Sequence, residues 1–254
     1  MKILCSDFDG TLSHGGIGKE KLEAIHAWRA KGNKFGIISG RRASFYRDLK
    51  KEYPALELDF VATCNGGIIL DGAGEVLLET HCTDLPVKET VQDLLSRGSA
   101  FVVINGIDGD PFDYLAVAEK KENLPDWIDR TALIDTLPAF KSFHQLTAVT
   151  DTAEETIPLE AQIRERYGDR LNPLRNGRCI DIVPRGINKA EGVRRIAKHF
   201  GASLEDMITV GDNINDADML REFHSYAMAS GTEDARVLAD GIVSDVTQIF
   251  EIEA

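Results

Sequence analysis

Apolar positions along this chain fall into short runs and helical stripes that alternate. The run Ile3-Leu4-Cys5 is followed by a stripe at Leu22, Ile25 and Trp28, then by Phe35-Gly36-Ile37-Ile38. A second stripe carries Phe45 and Leu49, and Asp59-Phe60-Val61-Ala62 supplies a third run. Short continuous apolar runs suit strands buried on both faces. Their alternation with helices implies right-handed crossovers and a parallel sheet covered on both sides. Ile68-Ile69-Leu70 and Val76-Leu77-Leu78, separated by Asp71-Gly72-Ala73-Gly74, predict a β-hairpin.

From Cys82 the texture changes. A helix is predicted over 85–95, a strand over 101–104 and an irregular stretch rich in Asp and Pro over 105–141. A strand over 143–149, a helix over 153–167 and a strand over 178–183 follow, which together predict an α+β insert. From Asn188 the first texture returns, with helix 188–200, strand 207–210, helix 214–222, strand 226–228, helix 233–239 and the run Ile242-Val243. The expectation is an α/β fold with one core domain in two segments, 1–81 and 184–254, and a second domain at 82–183.

Composition narrows the function. The 254 residues carry a formal net charge of −13, which argues against nucleic acid and against an anionic membrane surface. No apolar stretch approaches the ~20 residues of a membrane span, and the N-terminus does not look like a secretory signal. Cys5, Cys64, Cys82 and Cys179 are scattered with no paired spacing, so a reduced, cytoplasmic protein is expected.

In an open parallel sheet, ligands bind beyond the carboxyl ends of the strands, and the polar clusters of this chain fall there. Asp7-Phe8-Asp9-Gly10-Thr11 follows the first run. If the backbone stays extended, Asp7 and Asp9 project together while Phe8 packs behind. Two such carboxylates repel unless a shared proton or a hard cation such as magnesium lies between them. An Asp-rich strand-end turn is the plainer reading of the same residues.

Ser39-Gly40-Arg41 follows the second run, where a hydroxyl and backbone amides at a helix N-terminus would seat a phosphate; helix capping alone also accounts for the serine. Lys189 lies four residues before Val193, on the stripe of Val193, Ile196, Ala197 and Phe200. It therefore belongs to a packed face and sits in a first helical turn, where the dipole disfavours a cation. That position suits neutralisation of an anion, or a side chain that snorkels to solvent. On this reading Lys189→Ala is expected to destabilise the fold little, or even to stabilise it.

Gly211-Asp212-Asn213-Ile214-Asn215-Asp216 adds two carboxylates four residues apart, so that one can bind metal while the other orients it. Its Asp and Asn residues also suit helix capping.

These four clusters, in this order, resemble the motifs of the haloacid dehalogenase-like phosphohydrolases. The insert after Asn65-Gly66-Gly67 is similar in position and size to the cap of the Cof-like subgroup. The resemblance implies a Rossmann-like parallel sheet core with an inserted α+β cap domain, and a magnesium-dependent phosphatase acting on a small-molecule phosphate ester. It implies Asp7 as nucleophile and Asp9 as general acid and base, whose backbone carbonyl also binds Mg2+. Ser39, Gly40, Lys189 and Asn215 would contact the phosphate, with Asp212 a metal ligand and Asp216 close behind. A phosphomutase on the same scaffold and a non-catalytic sugar-phosphate-binding protein are the alternatives, and the chain is expected to be a monomer or homodimer. In place of the subgroup's Gly-Asn-Ala this chain has Ala229-Ser230-Gly231. A polar loop over 105–110 is a candidate substrate contact.

Overall fold

The computed structural model describes residues 1–105, 114–118 and 130–254. Its first segment runs β1 (Ile3–Ser6), α1 (Lys19–Ala30), β2 (Lys34–Ile38), α2 (Phe45–Glu52), β3 (Phe60–Thr63), β4 (Ile68–Asp71) and β5 (Val76–Glu79). The predicted runs and stripes are thus the observed strands and helices. The turn at Asp71 is closed by its own side chain, whose Oδ1 accepts the amides of Ala73 and Glu75 at 2.8 and 2.9 Å.

The insert follows with α3 (Val87–Ser96), β6 (Phe101–Asn105), β7 (Tyr114–Val117), β8 (Arg130–Leu133), β9 (Gln145–Val149), α4 (Thr156–Tyr167), β10 (Leu171–Asn176) and β11 (Cys179–Pro184). Its six-stranded sheet has the order β10-β11-β9-β6-β7-β8, antiparallel except where β7 meets β8. Three of these strands lack a sequence signal for physical reasons. β8 is an edge strand with Arg130 and Thr131 exposed, so no apolar run marks it. β10 is the other edge and contains Pro173, which an edge strand tolerates. β7 is short and lies in the Asp- and Pro-rich stretch expected to be irregular. Of the loop 105–110 only Asn105, buried at the end of β6, belongs to the described residues.

The chain then continues with α5 (Lys189–Phe200), β12 (Met207–Gly211), α6 (Ala217–Glu222), β13 (His224–Met228), α7 (Glu233–Leu238), β14 (Gly241–Val243) and α8 (Thr247–Ile252). The eight-stranded sheet reads β14-β13-β12-β1-β2-β3-β4-β5. All neighbours from β14 to β3 are parallel, and β3 with β4 is antiparallel. From β1 the chain winds outward to β2 and β3 on one side, and returns through β12, β13 and β14 on the other. The direction of winding reverses between β1 and β12, which is where such sheets hold ligands.

Two compact units result: Met1–Gly40 with Phe45–Leu78 and Asn188–Ala254, and Arg41–Ser44 with Glu79–Ile187. The sequence alone put the changes of texture at 82 and 184. The first unit is an α/β sheet domain and the second an inserted α+β domain. Among the described residues no helix is long and apolar enough to cross a membrane.

The sheet of the first unit is buried on both faces. Leu4, Phe35, Ile37, Val61, Ile208 and Val210 pack with Ile25 and Trp28 of α1, Phe45 and Leu49 of α2, and Ile249 and Phe250 of α8. Their strand neighbours Ile3, Cys5, Ile38, Phe60 and Met207 point the other way, onto Ala190, Val193 and Ile196 of α5. Each full burial of such a side chain contributes about 1.5–3 kcal/mol.

Helix α8 ends in a polar clasp. Glu253 accepts from the Tyr226 hydroxyl at 2.5 Å, and its carboxylate meets His224 Nε2 at 2.8 Å and Lys2 Nζ at 3.0 Å. Burial would raise the carboxyl, but Tyr226, His224 and Lys2 outweigh it and hold the group down at about 2. A depressed folded value means that stability is present above the ordinary glutamate range and is lost as pH falls towards about 2. Glu253→Gln is therefore expected to lower the melting temperature at pH 7, and the difference from wild type should narrow on acidification to pH 3. A pH-independent difference would show that packing, not charge, makes the clasp.

Candidate active site

β1 and β12 lie side by side in register, with Ser6 opposite Val210. The next amide, that of Asp7, donates to the Val210 carbonyl at 2.9 Å. Parallel pairing alone thus brings Asp7 beside the Gly211-Asp212 turn, across some two hundred residues of sequence.

The extended backbone ends at Asp7, and Phe8–Leu12 forms a single irregular helical turn. The alternation that would align Asp7 with Asp9 does not continue into that turn. Asp7 is 5% exposed, whereas Asp9 is exposed to solvent, so the two carboxylates occupy different surroundings. The carboxylates that crowd Asp7 are Asp212 and Asp216. Phe8 does pack behind, edge-on to Phe45 with ring centres 4.8 Å apart.

Gly10 makes this turn feasible. Its φ is +77°, and a Cβ there would stand 2.5 Å from Asp212 Oδ2. Any other residue would be strained and would push Asp212 away.

Lys189 opens helix α5, whose N-cap Asn188 accepts the Glu191 amide at 2.8 Å and donates to Asp218 Oδ2 at 2.7 Å. The helix can approach because Gly192 meets Gly66; a Cβ on Gly66 would lie 2.8 Å from the Gly192 Cα. Lys189 is 1% exposed and does not reach solvent. Its Nζ lies 2.6 Å from Asp7 Oδ1 and 2.5 Å from Asp216 Oδ1. Burial alone would lower the lysine, but Asp216 and then Asp7 outweigh it and hold the ammonium above its ordinary range. The expected tolerance of Lys189→Ala is therefore overturned, because removing this cation would leave two buried carboxylates uncompensated.

Asp216 is fully buried and committed at both oxygens. Oδ1 takes Lys189, and Oδ2 accepts the amides of Asp212 and Asn213 at 2.9 and 3.1 Å. It thereby shapes the loop that presents Asp212. Asp212 is half-buried, and its Oδ1 accepts the Thr11 hydroxyl at 2.9 Å. Burial raises Asp212, and the Asp216 charge adds to the rise against the opposing Thr11 bond. Asp7 is raised too, first by burial and then by Asp216 and Asp212, with Lys189 opposing.

Ligand oxygens of Asp7, Asp212 and Asp216 lie within 4.8 Å of one another. Three carboxylates facing one lysine leave an excess of negative charge that a hard divalent cation fits.

Ser39 is buried at the end of β2, its amide donating to the Ala62 carbonyl and its carbonyl accepting from Asn65, each at 2.9 Å. Neither Ser39 nor Gly40 stands at a helix N-terminus, since α2 begins only at Phe45 and Gly40 lies in the intervening bend. Asn215 is half-buried in the turn between Asp212 and Asp216. The departing loop Ala229-Ser230-Gly231 abuts Asp212: a Cβ on Gly231 would stand 2.6 Å from the Asp212 carbonyl, which accepts the Thr232 amide at 2.8 Å. Thr11 and Asn188 went unread in the sequence. A threonine beside a motif and an asparagine before a helix have ordinary local explanations, and their partners lie far along the chain.

A model of the haloacid dehalogenase-like hydrolases matches residues 4–248. The 5-amino-6-(5-phospho-D-ribitylamino)uracil phosphatase of Escherichia coli K12 is 25% identical over 246 residues, covering 90% of this chain and 85% of that protein. The HMP-PP phosphatase of Yersinia enterocolitica is 28% identical over 231 residues, covering 86% and 80%. The solved structure of the subclass IIB sugar phosphatase BT4131 superposes with a TM-score of 0.77 at 22% identity, covering 100% of this chain and 99% of that one. With the motifs, the fold and the match over nearly its whole length in agreement, the chain belongs to the haloacid dehalogenase-like hydrolases.

Proposed function

We propose that this phosphoric monoester hydrolase is a magnesium-dependent phosphatase of a small phosphorylated metabolite, working through an aspartyl phosphate on Asp7. The observation that carries the reading is the buried pair of contacts from Lys189 to Asp7 and Asp216, next to Asp212, where the winding of the sheet reverses. The four cysteines form no disulfide among the described residues, which supports a reducing, cytoplasmic setting.

An Asp7 oxygen attacks phosphorus, and the bond from phosphorus to the leaving alcohol breaks. Asp9, exposed on the turn beside Asp7, gives its proton to the leaving oxygen. Water then attacks the phosphorus of the acyl phosphate while Asp9 takes up its proton; inorganic phosphate leaves and Asp7 is regenerated. Lys189 holds Asp7 in place and contributes fixed positive charge from a buried position. The Ser39 hydroxyl, Gly40 and Asn215 bind phosphoryl oxygens. Thr11 and Asp216 orient Asp212, which with Asp7 and the Asp9 carbonyl would hold magnesium. The ion, when bound, neutralises negative charge at the transferring group.

Phosphate release from a broad panel of phosphorylated metabolites tests the proposal. Release from at least one substrate, lost on chelation and restored by Mg2+, is expected; turnover unchanged by exhaustive chelation would contradict it. Asp9→Asn keeps the shape but cannot shuttle a proton, and should reduce kcat by about 10²–10⁴-fold. Steady-state kinetics on that variant check the assignment, and an unchanged kcat would remove Asp9 from the reaction.

A further inference from the structure

A second group of ligating side chains lies wholly within the inserted unit. Cys82 and Phe143 form an isolated antiparallel bridge, exchanging backbone hydrogen bonds of 2.8 and 3.2 Å. Both side chains are buried in the unit's core. Alternation along each segment turns the adjoining residues, His81 and His144, to the opposite side, where they meet across the bridge. Their ring centres are 3.9 Å apart. Glu79, two residues before His81, falls on the same side.

The three side chains converge. Glu79 Oε2 lies 3.1 Å from His144 Nε2 and 3.4 Å from His81 Nε2, and one ligand atom from each of the three falls within a common 4.8 Å. Zinc holds histidine nitrogen and carboxylate oxygen at about 2.0–2.2 Å in a tetrahedron. The edge of such a tetrahedron is about 3.3–3.6 Å. Two of the three edges of this triangle are already near that length without an ion.

We propose that Glu79, His81 and His144 form a binding site for a zinc-type divalent transition-metal ion in the inserted unit. Two imidazoles and one carboxylate are a borderline donor set, suited to such an ion and poorly suited to magnesium, which takes oxygen. Surrounding groups fit as well. His81 Nδ1 lies 3.3 Å from the Ser142 hydroxyl, a partner that can accept its N–H and so leave Nε2 as the ligating lone pair. A bound ion would tie the segment around Glu79 and His81 to the segment carrying Ser142 and His144. The fourth position would be filled by water, as in three-ligand zinc sites.

The test uses the full untagged chain, stripped of metal and then equilibrated with Zn2+ in saturating Mg2+, so that the carboxylate cluster of the first unit is occupied. Elemental analysis after dialysis should find one zinc per chain in the wild type, and none in His81→Ala or Glu79→Gln. Ser142→Ala should weaken zinc binding by about 10–100-fold, the usual effect of removing an outer partner. Substitution with Co2+ should give the visible bands of a low-coordinate nitrogen–oxygen site, absent from the same two variants. Glu79 is exposed, so Glu79→Gln decides the matter should His81→Ala fail to fold. Wild-type chain that retains no more zinc than Glu79→Gln would overturn the proposal, leaving a hydrogen-bonded cluster only.

Discussion

Asp7→Asn is expected to abolish turnover, by something on the order of 10⁶-fold for loss of a covalent nucleophile, and to leave the fold as stable as before or more so. The two effects have separate causes. An amide cannot attack phosphorus, so the covalent route closes. For the fold, burial disfavours the Asp7 carboxylate and the charges of Asp216 and Asp212 oppose it further, so a neutral isostere relieves that repulsion. Lys189 keeps Asp216 at 2.5 Å and is not left unpartnered.

The sign of the pH dependence follows. With Asp7 raised, the metal-free native chain holds a proton between the ordinary aspartate range and the raised value, where the unfolded chain has released it. In that window this group makes stability fall as pH rises. Asp7→Asn should remove that component. Melting curves with chelator across pH, alongside kinetics with Mg2+, check both halves; near wild-type turnover would exclude Asp7 as nucleophile.

Lys189→Ala is expected to lose activity as well, but with the opposite effect on the fold. Breaking a buried ion pair by removing one partner costs about 3–5 kcal/mol. At roughly 2–4 °C per kcal/mol for a chain of this size, the melting temperature should fall by roughly 6–20 °C. The loss should be greatest at high pH. Without the ammonium, which opposes the rise of Asp7, that carboxyl stands higher still, and its share of the penalty shrinks as pH falls through its folded value. A melting temperature unchanged at pH 8 would mean that Asp7 and Asp216 do not need Lys189. Measured together, the two substitutions separate the proposed nucleophile from the cation that makes its burial tolerable.

Much of this was legible before any coordinates. The strands of the first unit are apolar runs because both faces are covered, and a run such as Ile3-Leu4-Cys5 carries that information locally. The position of Lys189 four residues before Val193 already placed it on the buried face of α5. Edge strands β8 and β10 were not legible, since an edge needs no apolar run and accepts Arg130 or Pro173. The alignment of Asp9 with Asp7 failed because the chain leaves the extended state at Asp7, and a period of two holds only within a strand.

By itself the sequence determined most of the strands and helices of the first unit, which of their faces are buried, and which motifs stand at strand ends. All of these depend on neighbours within a few residues. Only the tertiary structure decided who meets whom: Lys189 with Asp7 over 182 positions, Thr11 with Asp212 over 201, His144 with Glu79 over 65. Those meetings set the charge balance of the site, and with it the sign of the Lys189 effect on stability. Electrostatic energy depends on distance and burial, and neither can be read from a residue's place in the chain.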